Sequence, residues 1–272
     1  MSNNSILLLD TSFDPKTAPA CNLLVKVGLD SISYAIINKE TRQVHAVFDE
    51  QECENGIKKL THRLKADLYL SLAYHEVKIA IHSENIIDIP NNLYDENEVA
   101  AHTQFFMAPH SGNLYTRAQG HFELTTIFTL PKSIDELLNN NFATAKRFQE
   151  TAGLLLLAAK INETALLLDF SVHSFHILYV NDQQLVFQQH YEIENVAEFN
   201  YYLLLIINQL GISKPSVHLS GIIHEGDEKY NCLLKYFDNI YFTAAGDDLN
   251  QEVIEDMPSH YYSTLLALDQ CV

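Results

Sequence analysis

The chain is organised around a run of apolar and polar positions at 165–189, ALLLDFSVHSFHILYVNDQQLVFQQ. The pattern predicts an apolar strand at 165–169, a tight turn, a strand at 175–180, a turn at Asn181 and Asp182, and a third strand at 185–189. A simpler version stands at 22–48, NLLVKVGLDSISYAIINKETRQVHAVF, with a turn in the polar cluster 38–41. In SISYAII the alternation is only partial, which predicts a sheet covered on both faces. Each meander is followed by an amphipathic helix and another strand.

Asn55 opens the helix after the first meander, with Ile57, Leu60 and Leu64 on one face. Lys58, Lys59, Arg63 and Lys65 fall mostly on the others. That basic surface reads as a solvated helix face or as a docking face for a partner. A strand at 77–81 leads into a long polar stretch, 84–113, which contains Pro90, Pro109 and a short helix around 95–102. A connection of that length tends to be functional or mobile. A short apolar strand begins at Ser5, and further elements are a strand at 122–130, a helix opened by Pro131, a strand at 144–148 and a buried helix at 151–162.

The helix after the second meander carries the clearest end signals. Asn195 is its N-cap, with Glu198 three residues on; Phe199, Tyr202, Leu203, Ile206 and Leu210 form one stripe, and Gly211 supplies a left-handed C-cap. A strand at 216–220, a helix at 227–236, a strand at 239–242, an acidic loop at 246–256 and a last helix at 258–270 complete the chain.

The order βββ-α-β-α-β therefore occurs twice. It predicts an α/β protein of two tandem half-domains, 1–162 and 163–272, each a five-stranded mixed sheet flanked by helices, with a cleft between them. This layout resembles the actin-like ATPase superfamily, a duplicated RNase H-like fold. At a finer level, NLLVKVGLDSISYAI, VKIAIHSENIIDIPNNLYDENE, NVAEFNYYLLLIINQLGI with SVHLSGII, and LLKYFDNIYF resemble a bacterial family of unknown function assigned to that fold. Pilus-assembly actin-like proteins, which serve as scaffolds, are similar at the level of the fold alone.

The resemblance implies where nucleotide would sit in an active member. The first phosphate turn resembles Asp-x-Gly; here it is Lys26-Val27-Gly28, with Asp30 two residues on as the substitute carboxylate. The second resembles Asp-x-Gly-x-x-x-Thr; here Asp169 is kept and Ser171 replaces the glycine. A Gly-Gly pair at the adenosine pocket becomes Gly221-Ile222. Glycine serves such turns because backbone N–H groups must approach phosphate closely. Nine glycines in 272 residues is about half the usual ~7%. The expectation is a non-catalytic scaffold or binding module without cofactor. The rival is an ATP-binding or kinase-like protein that uses Asp30 and Asp169 on magnesium, with Gly28, Ser171 and Gly221 lining the cleft. No P-loop, dinucleotide, nucleophile-elbow or H-E-x-x-H motif is present. His173 and His176 point to opposite faces of a strand, and the cluster His224–Glu228 suits a helix's first turn.

Charge narrows the partners. Through Glu150 the chain carries 13 basic and 19 acidic residues; beyond it, 4 and 16. So acidic a surface repels phosphate backbones and anionic membranes, so the partner expected is a protein. Four scattered cysteines form no C-x-x-C, and the N-terminus has no basic or extended apolar region, so the expected compartment is the cytoplasm, with no membrane insertion.

Overall fold

The computed structural model describes residues 4–108, 112–246 and 248–272. Pro109 of the long polar stretch lies outside them. The first sheet contains β1 (Ser5–Leu9), β2 (Cys21–Val27), β3 (Ile32–Asn38), β4 (Val44–Glu50), β5 (Glu76–Ile81) and, from later in the chain, Lys146–Gln149. The meander β2-β3-β4 is antiparallel, and β5 then lies parallel to β2. The first helix, α1 (Gly56–Ala66), starts where expected, with Asn55 Oδ1 accepting from Lys58 N.

The stretch after β5 differs from the sequence expectation. It builds a separate antiparallel sheet from β6 (Ile86–Pro90), β7 (Asn113–Gln119) and β8 (Leu124–Leu130), in the order β6-β8-β7. The short helix within it is α2 (Val99–His102). β8 therefore belongs to an insert, not to the main sheet. Chain order then gives α3 (Lys132–Asn141), β9 (Lys146–Gln149) and α4 (Ala152–Ala158).

The second sheet holds β10 (Ala165–Phe170), β11 (Ser174–Asn181), β12 (Gln184–Glu192), β13 (Ser216–Gly221) and β14 (Ile240–Phe242), with helices α5 (Val196–Leu210), α6 (Glu228–Leu233) and α7 (Ser263–Ala267). Its order is β12-β11-β10-β13-β14; that of the first sheet is β1-β4-β3-β2-β5-β9. Position by position these agree, with β1 added as a sixth strand on the outer edge of β4.

The central strands are apolar on both faces because both are covered. Leu23, Val25 and Val27 pack outward with Leu60 of α1 and Leu138 of α3, while Leu24 packs inward with Leu265 and Leu266 of α7. In the second sheet Leu166 and Leu168 pack with Phe199 and Leu203 of α5, and Ala165 and Leu167 with Leu154 and Leu155 of α4. Placed last in the chain, α7 thus lies on the first sheet, and α4 lies on the second. These two inner helices cross closely: a Cβ on Gly153 would sit 1.9 Å from the Thr264 carbonyl oxygen. Only glycine permits that approach. Among the described residues, no helix is long and apolar enough to cross a membrane.

Candidate functional site

Side-chain alternation fixes what meets in the cleft. If Leu24 points inward from β2, so does Lys26; if Leu167 points inward from β10, so does Asp169. The two residues emerge at the same end of the central strand of each sheet and meet. Lys26 Nζ lies 2.6 Å from Asp169 Oδ2. Thr264 of α7 donates to the same oxygen at 3.1 Å, and Ser220 Oγ donates to Asp169 Oδ1 at 2.9 Å. Both carboxylate oxygens are thereby engaged by the protein itself. Burial pushes the Lys26 ammonium down, but Asp169 and then Glu150 outweigh it and leave it raised. Burial lifts the neighbouring Asp49 to about 6, against a hydrogen bond from Gln51 and the charge of Lys26.

The space left beside this pair is about 30 Å³, lined in part by Ser171, Gly221, Ile222, Tyr261 and Tyr262. Asp169, Ser171 and Gly221 are thus brought together. Gly221 has φ +76°, and a Cβ there would lie 2.1 Å from the Phe170 carbonyl oxygen, so strand packing alone demands glycine. Gly28 sits instead beside a second cavity of about 280 Å³, which also meets the N-terminus of α1 and Ser83–Asn85. Asp30 lines neither space; its carbonyl oxygen accepts from Cys53 N at 2.6 Å.

A second constellation escaped the sequence reading. Glu150, buried just beyond β9, accepts from His82 Nδ1 at 3.1 Å and lies 3.1 Å from His176 Nε2 of β11. His190 of β12 completes the group, with ring centroids 4.6 Å from His176 and 5.0 Å from His82. Burial alone would raise Glu150, yet His176, His82 and Lys26 hold it well below the usual carboxylate range. His82 is raised, since the Glu150 hydrogen bond and charge overcome burial. Burial and the His176 charge push His190 down to about 3. The signal was available in the hairpin register, which sets His176 opposite His190. Among the described residues no three His, Cys, Asp or Glu side chains converge as metal ligands.

Two other candidates resolve simply. Three of the four α1 cations are used locally: Lys59 and Arg63 both grip Glu50, and Lys58 pairs with Glu54. At the His224–Glu228 turn, Asp227 Oδ2 accepts from His224 N at 2.8 Å, and the Tyr261 hydroxyl meets the His224 ring.

Residues 10–240 match the family described as "Protein of unknown function (DUF3822)". The chain belongs to the DUF3822 family. None of the curated proteins matches it. Among solved structures, this DUF3822 chain resembles a Bacteroides thetaiotaomicron protein described as having an actin-like ATPase fold and unknown function. The TM-score is 0.77 at 18% identity, covering 94% of this chain and 98% of that one. It also resembles a chain of the "PilM-PilN type IV pilus biogenesis complex", at TM-score 0.64 and 10% identity, over 92% and 97%. The fold is that of the actin-like ATPases.

Proposed function

We propose that this chain is a cytoplasmic, non-catalytic scaffold or binding module that has kept the actin-like frame and given up nucleotide. The observation that carries this reading is Lys26 on Asp169 at 2.6 Å. In the resemblance, both turns present carboxylates, and a magnesium ion would stand between them and the phosphates. Here an ammonium stands on the second carboxylate. Lys26 offers donors and no acceptor, so it cannot take part in a magnesium shell. A space of about 30 Å³ is room for a water or two, against roughly 300 Å³ or more for a small-molecule site. Mg-ATP does not fit these residues as they stand.

The matching strand order of the two sheets supports an internal duplication, with half-domains at 1–162 and 163–272 apart from the exchanged helices. The partner in this reading is a protein, as the name of the PilM-PilN complex states for that neighbour. The cavity of about 280 Å³ is where the start of α1 meets both ends of the insert, at Glu84 and Thr129. The alternative, an ATP-binding protein, has Asp169, Ser171 and Gly221 around one space in its favour. Titration with a fluorescent ATP analogue and Mg²⁺ separates the two. No saturable binding below the millimolar range is expected; saturable binding that disappears in Asp169→Ala would establish the alternative.

A further inference from the structure

We infer that the stretch from Leu93 to Met107, which follows β6, is the docking surface for a basic, amphipathic helical segment of a partner protein. The inference rests on the scaffold reading. From 79 to 116 the sequence contains no lysine or arginine, while Glu84, Asp88, Asp95, Glu96 and Glu98 supply five carboxylates. Asp88 is used internally, accepting from Thr126 Oγ1 at 2.6 Å and from Gln188. Glu84, Asp95, Glu96 and Glu98 are exposed, and among the described residues none of them is held in a salt bridge.

The same segment exposes three large apolar side chains. Leu93 is 67% exposed, Phe105 64% and Met107 93%. Its shape is nevertheless held. Tyr94 stacks on His102 across the turn, Asn91 N donates to the Glu123 carbonyl at 2.8 Å, and Ala108 N donates to Asn85 Oδ1 at 3.0 Å. Exposed apolar side chains in a segment whose charges are all of one sign suit a binding surface better than a solvated loop.

Chemistry selects the occupant. The carboxylates repel nucleic acid and anionic lipid. A second copy of this chain would bring its own acidic surface, and three of the four cations of its α1, Lys58, Lys59 and Arg63, already pair with Glu54 and Glu50. A helix with apolar side chains at i, i+3 and i+4 flanked by Lys or Arg satisfies both features, and exposed Met and Phe adapt to such a face.

The test uses a labelled peptide of about 18 residues with leucine and lysine at helical spacing, read by fluorescence anisotropy at about 0.15 M salt. A leucine/glutamate peptide of the same pattern and a serine/lysine peptide of the same charge are the controls. Wild-type protein is expected to bind the leucine/lysine peptide and neither control. The triple variant Leu93→Ser, Phe105→Ser, Met107→Ser keeps every charge and changes only exposed side chains; it is expected to bind about tenfold more weakly. The variant Asp95→Asn, Glu96→Gln, Glu98→Gln is expected to weaken binding similarly. Equal binding by the apolar triple variant would mean that general acidity attracts the peptide, and the inference fails. Binding of the leucine/glutamate peptide, or no binding at all, also overturns it. Failure here would leave the scaffold reading standing, because that reading fails only on nucleotide binding.

Discussion

The turn after β2 and the turn after β10 are the same object built twice. In one, Gly28 N donates to the Ser31 carbonyl at 3.0 Å; in the other, Ser171 N donates to the Ser174 carbonyl at 3.0 Å. Lys26 and Asp169 stand two residues before these donors, at equivalent points of equivalent strands. Their neighbours on the next parallel strand differ: Ala80 beside Lys26, Ser220 beside Asp169. Identical backbones therefore carry opposite charges into one cleft. Two carboxylates at these points would repel and would need a cation between them. With lysine at one of them, the cation between the two points is covalently attached to the chain.

Reversing that charge should have the largest effect. Removing one partner of a buried pair costs about 3–5 kcal/mol, because the other charge is left without compensation. Lys26→Met should lose stability in that range in urea unfolding. Lys26→Asp should lose at least as much, since Asp49 is a third carboxylate in the same space. Millimolar Mg²⁺ should restore part of the loss in Lys26→Asp and none in Lys26→Met. Equal responses to Mg²⁺ would break the comparison.

The turns themselves should differ by a smaller amount. A Cβ on Gly28 would meet Ser31 Oγ at 2.6 Å and Glu150 Oε1 at 3.0 Å, and Glu150 is held by His82 and His176. Gly28→Ala should cost about 1–3 kcal/mol through overpacking. Ser171→Gly should change stability by less than about 1 kcal/mol and should not confer ATP binding. If Ser171→Gly alone creates a nucleotide site, the obstruction is steric and Lys26 is not its cause.

The histidines beside the junction give the subtlest signature. His82 is raised above 6.5, so its contribution is complete below 6.5 and is lost as pH rises through its folded value. His190 is lowered to about 3, so its contribution is complete above 6.5 and fades as pH falls toward 3. Glu150, lowered below 4.5, adds stability that is lost only at more acid pH. The contribution of this cluster to stability should therefore be largest near pH 6.5. Glu150→Gln should remove the decline on the alkaline side, and an unchanged profile would show that this cluster does not tie the halves.

What could be read in the sequence follows from how local each signal is. The meanders, α5 with its Asn195 and Gly211 caps, and the repeated element order are written in contiguous residues. β6 pairs with β8 across the intervening β7, so no hairpin of consecutive residues announces it; β7 does form a hairpin with β8, but its half-exposed NLYTRAQ has no clear apolar alternation. The terminal helix was visible, but its packing on the first sheet depends on Thr264 meeting Gly153. Lys26 and Asp169 were each recognisable as cleft residues; that they would pair followed only once the two sheets faced each other. Glu150 had no motif around it, and its meaning comes from His82 just past β5, His176 of β11 and His190 of β12.

The most direct test is thermal melting of the wild-type protein with and without millimolar Mg-ATP. A ligand at 100 times its dissociation constant stabilises by about 2.7 kcal/mol, which for a protein of this size is a shift on the order of 5–10 °C. With Lys26 in the place of the metal, the expected shift is none. A rise of several degrees that Asp169→Ala abolishes would contradict the account and make this chain an ATP-binding protein.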